Sequence, residues 1–182
     1  MKLGRFAFGI AAALLVLVVP CKSQNLSQNF HGLLKKHSMQ FALPPGFEVT
    51  PVVDNGDVVY DYAVRSKTKH LEIRYRIWPI DENPCDFEAM AITMGLNISD
   101  GNIMQTKHYP RQDVKAEFGA DDGLAGMVRV DSDFGKGYKV CSISVIHKDN
   151  VADAYVFFLA DDPKTLLSAF FDEKAYHALR FR

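Results

Sequence analysis

Three groups of residues have types and spacing that could do chemistry. The first lies in VRVDSDFGKGYKVC, 128–141, where Asp131 and Asp133 precede Gly135-Lys136-Gly137. Alternating acids can open a calcium loop, and glycines around a lysine can cradle a phosphate. A calcium loop of the EF type needs further oxygen ligands at alternate places and a bidentate acid at the twelfth. Here the fifth and seventh places are Gly135 and Gly137, and the twelfth is Ser142 inside an apolar run. A phosphate loop needs a helix directly after it, whereas YKVCSISVIH alternates like a strand. The segment reads as a hairpin loop, its glycines supplying positive φ and its charges solubility. It implies neither a metal nor a cofactor.

The second group is His108 with Asp113 in KHYPRQD. A histidine near an acid can act as a base or a ligand, or sit exposed on a loop. The third is an alternating run, Arg74, Arg76 and Trp78, beside Asp61 and Glu72. Arginine with tryptophan is a composition favoured at binding hot spots. The same residues could form a solvated face with cross-strand charge pairs, or a face covered by a helix. The six histidines show no metal-ligand spacing, and there is no CxxC, HExxH or GxSxG signature. Cys141 sits among strand-like apolar neighbours and reads as a core side chain; in an oxidising compartment it could pair with Cys85.

These residues need elements to hold them. DVVYDYAVRSKTKHLEIRYRIWPI is two alternating runs around 66–69, which predicts a hairpin with Arg65 facing His70 and Asp61 facing Arg74. Val58, Tyr60, Tyr62, Val64, Leu71, Ile73, Tyr75 and Ile77 then share a packing face. Met39, Phe41 and Leu43 alternate before Pro44-Pro45-Gly46. Asn83-Pro84 can start a helix with Phe87, Met90, Ala91 and Met94 as its apolar stripe. Residues 99–123 read as irregular, with a helical turn or two after Pro110. Strands follow over 124–130, 138–147 and 152–160, the last apolar on both faces, so its sheet must be covered on both sides. Asp162-Pro163 starts a closing helix, followed by a second helical piece with Ala175, Tyr176 and Leu179 facing in. The order predicts an α+β fold, an antiparallel β-sheet flanked by helices as an α/β/α sandwich.

The chain starts MKLGRFAFGIAAALLVLVVPCKSQ. A basic start, an apolar run and small residues before Gln24 predict a signal peptide over 1–23, hence a secreted or periplasmic protein. The other readings are an uncleaved anchor and lipidation at Cys21, either of which would place the protein at a membrane. Residues 24–182 are one domain's worth of chain. Removing 1–23 takes away Lys2, Arg5 and Lys22 and no acid, leaving 18 basic against 22 acidic side chains. That balance, without a basic block, excludes electrostatic nucleic-acid binding.

The opening FALPPGFEV, the pair DYAVR and LEIRYRIWP, the meander YKVCSISVIHKDNVADAYVFFLADD and the closing helix together resemble the PsbP fold family, a fold shared with a Ran-binding nuclear import factor. The resemblance implies a PsbP-like sandwich in a non-catalytic binding or assembly protein. It carries no set of functional residues. The partner would be an unknown protein or small ligand, with Arg74, Arg76, Trp78, Asp61 and Glu72 as the contact surface. The other class is a hydrolase that draws on 99–123, with His108 and Asp113 in the lead.

Overall fold

In the computed structural model the described residues are 22–182, apart from 57, 82–85, 100 and 102–103. Residues 1–21 of the expected leader, including Cys21, lie outside them, as do Asn83, Pro84 and Cys85. The elements are α1 (Lys22–Lys36), β1 (Met39–Phe41), β2 (Phe47–Val49), β3 (Tyr62–Ser66), β4 (Leu71–Pro79), α2 (Phe87–Asn97), β5 (Gln105–His108), α3 (Arg111–Phe118), β6 (Asp122–Arg129), α4 (Ser132–Gly135), β7 (Val140–Lys148), β8 (Ala152–Ala160), α5 (Pro163–Phe170), α6 (Glu173–Tyr176) and β9 (Leu179–Phe181).

All nine residues of β8 are buried. A strand that wets neither face belongs inside a sheet covered on both sides. β8 lies at the centre of a seven-stranded antiparallel sheet of order β2-β3-β4-β8-β7-β6-β5. On one face Val64, Ile73, Tyr75 and Phe158 meet Phe30 of α1, Val114 and Phe118 of α3 and Leu166 of α5. On the other, Ile143, Val145, Tyr155 and Phe157 meet Ala91 and Met94 of α2, Ile98 just after it and Phe134 of α4. The fold is an α+β sandwich, helices on both faces of one sheet. Among the described residues no helix is long and apolar enough to cross a membrane.

Local chemistry explains where the elements depart from expectation. The first hairpin pairs Arg65 with Glu72 and Ala63 with Arg74, two residues from the predicted register. Ser66 stays in β3 because it pairs with Phe47 of β2, while its hydroxyl accepts from the Thr68 and Lys69 amides and forms the turn. A slip of two keeps every side chain on its face and changes only its partner. β3 starts at Tyr62, because the Asp61 carboxylate takes the Ile77 N–H at 2.8 Å in place of a backbone carbonyl. Val58 consequently packs in the α2 layer, not with Tyr62. α2 is capped by Asp86, whose side chain accepts from the Glu88 and Ala89 amides, so the helix starts later than Asn83-Pro84 suggests. The stretch 99–123 is not irregular: it holds β5 and α3, and Gly119 ends α3 with a left-handed φ of 63°. Leu179 belongs to a strand, not a helix; β9 pairs with β1 in a separate ribbon.

The 131–137 segment joins β6 to β7 as expected but is not a solvated turn. Asp131 caps α4 through the Phe134 amide, and Phe134 is fully buried. Burying that ring contributes about 2 kcal/mol. It covers Arg74, which is 2% exposed and lies between the Phe134 and Tyr60 rings at 4.7 and 5.0 Å. Arg74 donates to Glu72 and to the Phe134 carbonyl, both at 2.6 Å. The cation therefore ties α4 to the sheet. Arg74→Ala should cost about 3 kcal/mol in urea unfolding, because it strips Glu72 and the Phe134 carbonyl of their partner and opens a cavity. A loss below about 0.5 kcal/mol would show that the tie carries no stability.

Candidate functional site

The register across the sheet determines which polar side chains meet. Trp78 of β4 pairs with Asp153 of β8, Asp153 with His147 of β7, and His147 with Asp122 of β6. Paired residues share a face, so these four form one row along an end of the sheet. His108 pairs with Leu124, on the same face and two residues along β6. Over this row sits the first turn of α2, with Phe87 and Glu88.

His147 is the centre. Its Nδ1 lies 2.6 Å from Asp153 and its Nε2 3.0 Å from Asp149, while its ring stacks on Phe87 at 4.7 Å. Asp153 is fully buried, so its charge needs a partner inside the protein. The Asp153 hydrogen bond, helped by Asp149, outweighs burial and pushes the His147 pKa up to about 9.

His108 is held in the same way. Nε2 lies 3.1 Å from Glu88 and Nδ1 3.4 Å from Asp122. Those two carboxylates, Glu88 first, raise its pKa. The Thr106 hydroxyl and His108 lower that of Glu88. Burial alone would raise Asp122, but the Gly123 amide, His108 and Arg111 together bring it down. Arg111 donates to Asp122 at 2.9 and 3.1 Å.

Beside these groups is a cleft of about 480 Å³, lined by Phe87, Arg111, Lys115, Asp121, Asp149 and His147 among others. Cations of α3 stand on one side, carboxylates of the β5–β6 and β7–β8 ends on the other, and an aromatic ring forms part of the wall. That is the size and chemistry of a small-ligand pocket with polar groups to fix orientation. Among the described residues no cluster of His, Cys, Asp and Glu is placed to hold a metal ion.

The residues singled out from sequence are divided by the fold. Arg74 is buried and Glu72 nearly so, which removes them from any contact surface. Asp61 and Arg76 pair at 3.3 Å, both largely covered; burial raises the Asp61 carboxyl, against the Ile77 amide and Arg76. The Arg76 guanidinium lies 5.1 Å from the Trp78 ring centre. A continuous exposed Arg/Trp patch does not form, because α4 and its Phe134 cover the middle of it. His108 does lie beside acids, but they are Glu88 and Asp122; Asp113 is an exposed residue of α3 and is not one of its partners. Cys141 is buried in the α2-side core, and desolvation pushes its thiol up, away from reactivity.

Sequence reasoning missed His147, Asp149 and Asp153. A signal existed in VIHKDNVADA: a turn centred on Asn150 places His147 opposite Asp153, and Asn150 has a left-handed φ of 58°. Glu88, Asp122 and Phe87 carried no such signal, since they meet His108 and His147 only through the sheet register and the seating of α2.

The chain matches no protein-family model and no curated protein.

The raised His147 pKa fixes a pH dependence. A group whose pKa rises on folding contributes stability fully below its unfolded value, 6.5, and loses it as pH rises through the folded value of about 9. Between pH 6 and pH 10 the wild type should lose up to about 3 kcal/mol at this site. Asp153→Asn should be less stable at pH 6 and should lose most of that pH dependence. Parallel stability–pH curves for the two proteins would disprove the coupling.

Proposed function

We propose that the protein is a secreted or periplasmic, non-catalytic binding protein of PsbP-like type, and that its small-ligand site is the Phe87–His147 cleft. One observation carries this reading: each imidazole in or beside the cleft sits between two carboxylates. The carboxylates raise the pKa of both, and His147, at about 9, stays protonated at neutral pH and offers charge and N–H donors. A hydrolase working at neutral pH needs a neutral imidazole to take up a proton. The resemblance of the hairpin, meander and closing helix to the PsbP scaffold, whose members bind and assemble, leans the same way.

Ring-nitrogen NMR across a pH titration tests the reading. His147 is expected to be doubly protonated at pH 7 and to hold that proton through pH 8, and His108 to titrate above the ordinary imidazole value. A His147 ring that is neutral at pH 7 would supply a free base and turn the assignment to the hydrolase. Mass spectrometry of the exported protein should show Gln24 as the first residue. A lipid on Cys21 would instead place the protein on a membrane.

A further inference from the structure

The sheet face opposite the cleft is not fully covered. Residues 125, 127 and 129 of β6 point to the side on which α5 lies, as do their partners Lys107, Gln105 and Val140. α5 covers the centre of the sheet and leaves the β5–β6 side open. The result is a groove of about 270 Å³, with Ala125, Met127 and Ser142 as floor and Leu166, Leu167 and Phe170 as wall. Met127 is 51% exposed, Leu167 53% and Phe171, one helical turn beyond Leu167, 86%. The Ser142 hydroxyl is turned to the Gly126 carbonyl, so the floor offers little polarity.

The groove has a charge pattern. Lys107 flanks Ala125 from β5, and Arg129 follows Met127 on the same face; both are exposed. Lys164 stands in the first turn of α5. The acids at that end are engaged elsewhere, Asp161 with His70 and Asp162 with the Thr165 amide and hydroxyl. The groove is thus apolar along its length and basic at both ends. Its volume lies just under the range of pockets for drug-sized ligands, about 300–1,000 Å³, which fits one flexible chain better than a fused ring system. We propose that it binds an anionic amphiphile, a single medium-length acyl chain lying over Ala125 and Met127 with its carboxylate at one of the two cations that bound this floor, Lys107 beside Ala125 or Arg129 beyond Met127. Burial of the chain supplies the affinity, and the cations select the head group.

Titration of the whole protein with sodium decanoate below its micelle concentration, followed at the Met127 methyl by NMR, tests this. Saturable shifts at Met127 and Ala125 are expected. Lys107→Glu with Arg129→Glu should weaken binding at least about tenfold, and Met127→Asp should abolish it; all three positions are at or near the surface, and circular dichroism checks their folding. Decyltrimethylammonium should bind wild type more weakly than decanoate does. The proposal is overturned if the cationic amphiphile binds as well as decanoate, if Met127 shows no saturable shift, or if only anionic phospholipid vesicles bind, which would make the face a membrane contact. The Phe87–His147 cleft is on the other side of the sheet, so its resonances report separately.

Discussion

The structure depends on the burial of β8. It has β4 on one side and β7 on the other, and its side chains reach both cores. Nine residues without water on either face force two covering layers. They also force any polar group in the strand to find its partner inside the protein. Asp153 is that group, and His147 is held by its need. The cleft's central imidazole is thus a by-product of placing a carboxylate in the driest strand of the fold.

A second buried charge works on the same principle. Arg74 lies in the middle of β4, one strand away from β8, beneath α4. Its five donors cannot be left unmet, so a glutamate and the carbonyl of a buried phenylalanine are drawn to it, and two rings close over it. Polar residues in this sheet organise what covers them: Asp61 ends a strand, Arg74 seats a helical turn, and Asp153 orients a histidine.

Much of the architecture was legible in the sequence. The alternation of β3 and β4, the two-faced apolarity of β8 and the Asp162-Pro163 helix start each state a local demand that the fold meets. β5, by contrast, is QTKH, an edge strand with no apolar period, and its pairing with β6 is what makes it a strand. Ala175, Tyr176 and Leu179 are spaced for a helix, yet Leu179 opens β9, whose partner is the distant β1. The site was legible only in fragments. His108 was visible, but its partners come from α2 and β6, and no local pattern announces them. The Arg/Trp alternation was real, but alternation does not reveal whether a helix will lie across it.

The β1–β9 ribbon also bears on the order of events when the chain is made. Met39 meets Phe181, 142 residues further along the chain. A chain threading outward from a ribosome or an export channel can form its β3–β4 hairpin early. It cannot close this ribbon, or seat the aromatic cluster of Phe30, Phe41 and Tyr62 against it, until residues 179–181 have emerged. Pairing over so long a separation is slow, and until it happens β1 is an open edge. The period of greatest exposure to aggregation or proteolysis is therefore the interval before Leu179–Phe181 emerge and cover β1.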